Sequence, residues 1–283
     1  MVKSTSAVPT VTLNNGVEIP QLGFGVFQID PANTKRAALD ALEIGYRHID
    51  TAEMYRNEAE VGQAVRESAI ERSEIFVTSK LNNGFHRPDL VRQAFRGTLE
   101  ALDIDYVDLF LIHWPLPMID VDYLEAWKAM EGLLDGGKVR AVGVSNFQPA
   151  HLQRLIDGAT VVPAVNQIEI HPYLTQDSLR AFDRAHGIAT EAWSPIAQGK
   201  VLDDPAIIAI AATVDRTPAQ VVLRWHLQRG EIVFPKSVTR SRVEENFALF
   251  DFELNDEQVE AITALNRDER TGPDPDSFDH IPA

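Results

Sequence analysis

Asp50, Lys80 and His113 close three consecutive strand-like runs, YRHID (46–50), EIFVTSK (74–80) and YVDLFLIH (106–113), and Tyr55 follows the first of these by five residues. A carboxylate, an ammonium, an imidazole and a phenol brought together make a general-acid site. A phenol with a pKa of ~10 holds its proton too firmly to be an efficient acid near neutrality. An adjacent ammonium stabilises the phenolate and lowers such a pKa by about 1–3 units. Asp50 would keep Lys80 charged and in place, because a buried ammonium without a partner tends to deprotonate. His113 would donate a hydrogen bond to a substrate oxygen and orient it, so that the cluster protonates an oxygen becoming negative. Each residue alone has a plainer reading: a satisfied core histidine, an interstrand ion pair, a rim aromatic packed against a helix. The cluster argues for chemistry where its members do not.

Positioning these groups requires strands that end on one rim. Eight strand-like runs alternate with amphipathic segments: 23–27, 46–50, 74–80, 106–113, 139–146, 163–170, 188–194 and 231–237. Their near-continuous hydrophobicity suits parallel strands buried on both faces. Helical periodicity marks 34–45 and 87–104; in the latter Leu90, Phe95, Leu99 and Leu102 line one face while Arg92, Arg96 and Glu100 face water. Two helices fill 195–230, divided at Thr217-Pro218, and a last helix over 255–268 starts at an Asn255 cap. Ahead of them VTLNNGVEIPQ (11–21) predicts a hairpin with Asn15-Gly16 as a two-residue turn, while the tail 269–283 has little regular pattern. The fold expected is α/β, a (β/α)8 TIM barrel with an N-terminal β-hairpin and extra helices, in one domain over 1–283. Active sites of such barrels sit at the C-terminal mouth of the strands. On that rim the later strands add Ser145-Asn146, Gln167 with Glu169, Trp193-Ser194 and Lys236-Ser237. An open doubly wound sheet would carry G-x-G-x-x-G after its first strand. Here Gly23 and Gly25 are followed by Val26, Phe27 and Gln28, so the third glycine is missing.

Composition narrows the function. The 283 residues contain no cysteine, which removes disulfides, thiol catalysis and cysteine-bound metals. Lys plus Arg number 26 against 42 Asp plus Glu, a net charge of −16, which disfavours nucleic acid as a partner. No run approaches the ~18 apolar residues of a membrane helix, and the opening MVKSTSAVPT lacks a signal-peptide core, so a cytoplasmic protein is expected.

Four segments then resemble the aldo-keto reductases: HIDTAEMYRNEAEVG (48–62), LIHWP (111–115), GVSNF (143–147) and PKSVTRSRVEEN (235–246), in that order along the chain. Within that family the sequence is most similar to the prokaryotic diketogluconate-reductase-like branch. The resemblance implies a metal-free, NADPH-dependent reductase of small aldehydes, ketoaldehydes or ketones, acting as a monomer. Tyr55 would be the proton donor, Lys80 and Asp50 its tuning pair, and His113 the residue that orients substrate. Ser145, Asn146 and Gln167 would bond the nicotinamide carboxamide, and Trp193 would stack on the ring. Ser194, Pro195, Ile196, Gln198 and Gly199 would wrap the pyrophosphate. Lys236, Ser237 and Arg242, with Val238 beside them, would take the 2′-phosphate, and Glu245 and Asn246 would lie near the adenine. Phe24, Met54, Asn82 and Trp114 would wall the substrate pocket, which a short loop at 115–122 would leave open. Arg56 stands where the family commonly has glycine and Asn82 where an aromatic is frequent, and both bear on substrate preference.

Other readings compete. Lys80 at a strand tip suits a Schiff-base aldolase, but such a lysine must be available as a neutral amine and Asp50 favours the ammonium. A non-catalytic NADPH-binding protein can share the fold. A metal-dependent hydrolase needs clustered ligands, and neither His48 with Asp50 nor Glu169 with His171 supplies a set. Arg240, beside Lys236 and Arg242, otherwise belongs to a solvated charge run.

Overall fold

The computed structural model describes residues 8–282; residues 1–7, most of the opening stretch read above, and Ala283 lie outside the described residues. β1 (Thr10–Thr12) and β2 (Glu18–Pro20) pair antiparallel. Their loop is one residue longer than the two-residue turn expected. Gly16 N donates to Leu13 O at 2.9 Å, Leu13 N donates to Val17 O at 2.9 Å, and Gly16 adopts φ 84°. A left-handed residue that follows a tight turn gives a three-residue hairpin loop, and glycine takes that conformation without a Cβ clash.

Eight parallel strands follow in chain order: β3 (Phe24–Gly25), β4 (His48–Asp50), β5 (Phe76–Leu81), β6 (Val107–Ile112), β7 (Val139–Ser145), β8 (Val165–Glu169), β9 (Ala189–Trp193) and β10 (Ile232–Val233). A bridge between Leu22 and Val233 joins the two sheet edges, with Gly23 N donating to Val233 O at 2.9 Å and Val233 N to Gln21 O at 3.0 Å. The barrel is therefore closed by its shortest strands. Both are shorter than the runs 23–27 and 231–237: Gln28 turns the first chain at φ 57°, and Pro235 has no N–H to extend the second.

Among the described residues ten helices surround the strands: α1 (Pro31–Ile44), α2 (Glu58–Glu67), α3 (Pro88–Leu102), α4 (Tyr123–Leu134), α5 (Pro149–Gly158), α6 (Asp177–Ala185), α7 (Pro205–Val214), α8 (Pro218–Gln228), α9 (Arg240–Phe247) and α10 (Asp256–Thr263). Thr217 caps α8, and Asn255 caps α10 through a reciprocal box with Gln258. α10 stops short of residue 268 because the chain leaves to pair with Tyr173, whose carbonyl accepts from Arg267 N and Glu269 N. Among the described residues no single helix is long and apolar enough to cross a membrane.

The apolar core has two parts. Phe76, Leu109, Leu111, Ala141, Val165, Ile232 and Phe234 form an interior cluster, to which Leu13 and Ile19 of the hairpin belong. A larger cluster fills the space between strands and helices. All six residues of β5 and of β6 are buried, as strands with two covered faces require. The strand rim above the interior cluster is polar.

Candidate active site

β4 and β5 pair with Asp50 opposite Thr78, and Lys80, two residues on, shares the face of Thr78. The ammonium is 0% exposed and meets three acceptors: Asp50 Oδ1 at 2.7 Å, Thr51 O at 3.0 Å and Tyr55 Oη at 3.2 Å. Tyr55 ends a short 3-10 turn, Glu53–Tyr55, that leaves β4 at once. Arg56 then reverses the chain at φ 57°. A glycine would take this left-handed position without strain, whereas a side chain there costs about 1–2 kcal/mol. Buried Asn57, which the sequence reading did not single out, anchors the turn. Its Nδ2 donates to Val26 O at 3.1 Å and Ile29 O at 3.3 Å, and its Oδ1 accepts from Thr51 Oγ1 at 3.1 Å. His113 lies just past β6, its N–H donating to Leu81 O at 3.3 Å and its ring edge-on to Tyr55 at 5.7 Å.

Burial pushes the Tyr55 phenol up to about 12, and the Lys80 ammonium only partly opposes this. The lowering expected from Lys80 is thus outweighed, and the phenol keeps its proton at neutral pH. Burial pulls Lys80 down, but Asp50 and Tyr55 outweigh it and the ammonium is held above its ordinary value. An ammonium with three acceptors and a raised pKa is not the free amine that a Schiff base needs. Burial, then the charge of Lys80, holds His113 well below its usual range, so the ring is neutral.

The neighbouring strands complete the rim. Ser145 Oγ donates to Gln167 O at 2.8 Å; Asn146, at φ 66°, donates to His113 O at 3.0 Å and Ser145 Oγ at 3.1 Å, and accepts from Trp193 Nε1 at 2.8 Å. Gln167 Nε2 donates to Asp50 Oδ1 at 2.9 Å and to Glu191 Oε2 at 2.8 Å. Glu191 was not among the residues singled out, although its place two before Trp193 on β9 puts both on one face. Glu169 and His171 meet each other: His171 Nε2 lies 3.1 Å from Glu169 Oε1, which also accepts from Thr271 N at 2.6 Å.

The remaining proposed cofactor residues divide between two places. Beyond β9, Ser194, Ala197 and Gln198 take φ 49°, 48° and 56°, and Gly199 φ 94°. Successive backbone N–H groups in such turns form concavities that bind anions. Pro195 O is tied down by His226 Nε2 at 3.0 Å, and Ile196 is half-buried. Beyond β10, Lys236 and Arg242 are exposed and form no ion pair among the described residues. Arg240 differs, since Asp40 and Glu43 at 2.7 Å and Glu244 at 3.2 Å take its charge. Ser237 Oγ accepts from Thr239 N at 3.0 Å, and Val238 is exposed. Glu245 accepts from Thr217 Oγ1 at 2.7 Å, and Asn246 is half-buried. Two uncommitted cations and a run of left-handed backbone fit a ligand with phosphate groups. Among the described residues no three His, Asp or Glu side chains gather as a metal site.

The pocket walls depart from expectation in two respects. Phe24 is 1% exposed with its ring edge-on to Tyr46 at 5.8 Å, facing the helices because the pleat turns it away from the mouth. Phe27, 51% exposed and 4.9 Å from the Tyr55 ring, stands there instead. Met54 is half-buried, and Asn82 bonds Glu53 and caps the following turn. Trp114 is not left open by the short 115–122 loop, because Phe278 of the tail covers it at 4.3 Å. The tail crosses the rim: Thr271 bonds Glu169, Gly272 packs on Trp193, Asp276 lies 3.4 Å from His151, and His280 O accepts from Asn83 Nδ2 at 2.8 Å. Its contacts are scattered single residues, so no periodicity announced them.

Comparison with known proteins agrees with this geometry. Residues 21–267 match the aldo/keto reductase family. An aldo-keto reductase of Mycolicibacterium smegmatis is 49% identical over 95% of this chain and 98% of its own. The methylglyoxal reductase DkgA of Escherichia coli K12 is 48% identical over 96% and 99%, and the glyoxal reductase of Bacillus subtilis 46% over 97% and 99%. Among solved structures, an aldo/keto reductase from Brucella melitensis superposes with a TM-score of 0.89 at 50% identity, covering 92% of this chain and 98% of that one. A Bombyx mori aldo-keto reductase in complex with NADP gives 0.91 at 36% identity, over 97% and 98%. Similarity that runs from the hairpin to the last helix and spans nearly the whole of each relative admits one assignment: the chain belongs to the aldo/keto reductase family, and is an oxidoreductase.

Proposed function

We propose that the protein reduces small aldehydes, ketoaldehydes and ketones reversibly with NADPH, Tyr55 giving the proton. The observation that carries this is the Lys80 ammonium, locked by Asp50 and in contact with the Tyr55 hydroxyl at 3.2 Å. When bound, NADPH supplies the hydride for the carbonyl carbon. Tyr55 holds its proton until negative charge develops on the carbonyl oxygen, then transfers it, and Lys80 stabilises the phenolate left behind. Asp50 keeps Lys80 charged throughout. His113, neutral, has a single N–H to offer and orients the substrate oxygen. Ser145, Asn146, Gln167 and Trp193 would hold the nicotinamide, the 194–199 loop the pyrophosphate, and Lys236, Ser237, Val238 and Arg242 the 2′-phosphate, with Glu245 and Asn246 beside the adenine. The mouth set by Phe27, Met54, Asn82 and Trp114, with Phe278 over the last, suits a small carbonyl. Relatives named methylglyoxal and glyoxal reductases support ketoaldehydes as the first to try. Since every group invoked comes from one chain, a monomer suffices.

Tyr55→Phe tests the assignment. It should lower kcat for methylglyoxal by about 10²–10⁴-fold, the contribution of a positioned acid. Fluorescence titration should show NADPH binding unchanged. Near-normal turnover by the variant would overturn the role of Tyr55.

A further inference from the structure

The chemistry above gives Glu191 no task. Its side chain is 0% exposed, and it lies in register with Gln167 across β8 and β9. Its Oε2 accepts from Gln167 Nε2 at 2.8 Å, while Oε1 has no partner among the described residues. The same nitrogen donates to Asp50 Oδ1 at 2.9 Å. An amide nitrogen carries two N–H groups, so both are engaged and the free polar atom of Gln167 is its carbonyl oxygen. The opposite orientation would turn that oxygen toward the Asp50 carboxylate, which accepts only and repels it. Asp50 alone would not settle the matter. With one acceptor the amide can turn, keeping one N–H on Asp50 and swinging the other to the mouth. A second acceptor removes that freedom.

We propose that Glu191 is a positioning residue that, together with Asp50, fixes the Gln167 amide with its carbonyl toward the mouth, so that Gln167 accepts from an N–H donor such as the carboxamide NH2 of nicotinamide. The inference rests on the cofactor reading given above. Burial, and then the charge of Asp50, pushes the Glu191 carboxyl up to about 8. At neutral pH it is therefore largely uncharged, and holds Gln167 without adding a second anion beside the single ammonium of Lys80.

The experiment compares two ligands by quenching of tryptophan fluorescence: NADPH and its reduced 3-acetylpyridine analogue, in which a methyl replaces the amide NH2. Wild type should bind NADPH about tenfold more tightly, because the analogue leaves the Gln167 oxygen unpaired. In Glu191→Leu that ratio should fall to below about threefold, since the amide can now turn its N–H to the acetyl oxygen. Glu191→Gln, which keeps an acceptor facing Gln167, should retain the wild-type ratio. A purely structural role for Glu191 weakens both ligands alike, so an unchanged ratio in folded Glu191→Leu overturns the proposal. So does a wild-type ratio near one, which can be read even if the leucine variant does not fold. Failure of the cofactor reading looks different, as wild type would then bind neither ligand.

Discussion

Arg242 is an exposed cation without an ion pair among the described residues, in a chain of net charge −16. A charge-assisted hydrogen bond contributes about 1.5–3 kcal/mol, so Arg242→Ala should raise the Kd of NADPH roughly ten- to hundredfold. The Kd of NADH, without the 2′-phosphate, should hardly move, and titration with both checks the point. Equal losses for the two would assign Arg242 to the fold instead. Residue types at this scale were largely legible: Asp50, Lys80 and His113 each mark the end of a buried run, and those ends converge. The direction of the Tyr55 shift was not legible, because burial exceeds the effect of Lys80 and burial is a property of the packed site. Phe24 and Phe27 show a second limit. Both lie in GFGVF, and only the pleat and the turn at Gln28 decide which ring faces the mouth.

At the scale of elements, contacts between neighbours hold the strand ends in place. α2 crosses the end of α3 at Gly62, where an added Cβ would lie 1.8 Å from Leu102 O. Gly62→Ala must therefore push the helices apart, and should cost about 3 kcal/mol or more in urea unfolding. A loss under about 0.5 kcal/mol would show that the helices shift freely. Asp183 of α6 accepts from Asn166 Nδ2 at 3.3 Å and Thr190 Oγ1 at 3.0 Å, joining the helix to β8 and β9. Burial raises its carboxyl to about 7 from an ordinary 3.8. Below the unfolded value both states are protonated. As pH rises from there to about 7 only the unfolded state ionises, so the wild type loses stability across that window. Asp183→Asn has no such ionisation, and its stability relative to wild type should improve between about pH 5 and about pH 8. Urea midpoints for both proteins at the two pH values check this, and a constant difference would refute it. Helix starts were legible at Thr217-Pro218 and Asn255, since caps are local chemistry, whereas α1 begins at Pro31, three residues ahead of the expected 34. Strand ends were less so: β3 stops short of the left-handed turn at Gln28, which the run GFGVF does not announce.

At the scale of the whole molecule, closure between β3 and β10 sets Asp50 of β4 against Gln167 of β8, residues that lie in a ladder with neither neighbour in common. The tail then covers the rim. Deleting residues 270–283 removes Thr271 from Glu169, Gly272 from Trp193 and Phe278 from Trp114. The truncated protein should show a several-fold higher KM for methylglyoxal and greater acrylamide quenching of its tryptophans. If neither changes, the tail is no wall of the site. The sequence by itself determined the alternation of strands and helices, the polar strand ends and which four residues are proposed for the acid–base chemistry. These follow from local periodicity and from residue chemistry read one run at a time. Tertiary structure alone decided the Gln167 amide between Asp50 and Glu191, the ring that meets Tyr55, and the tail across Trp114. Those depend on which groups from distant parts of the chain exclude water from one another, and burial and hydrogen bonding at such contacts have no period along the chain.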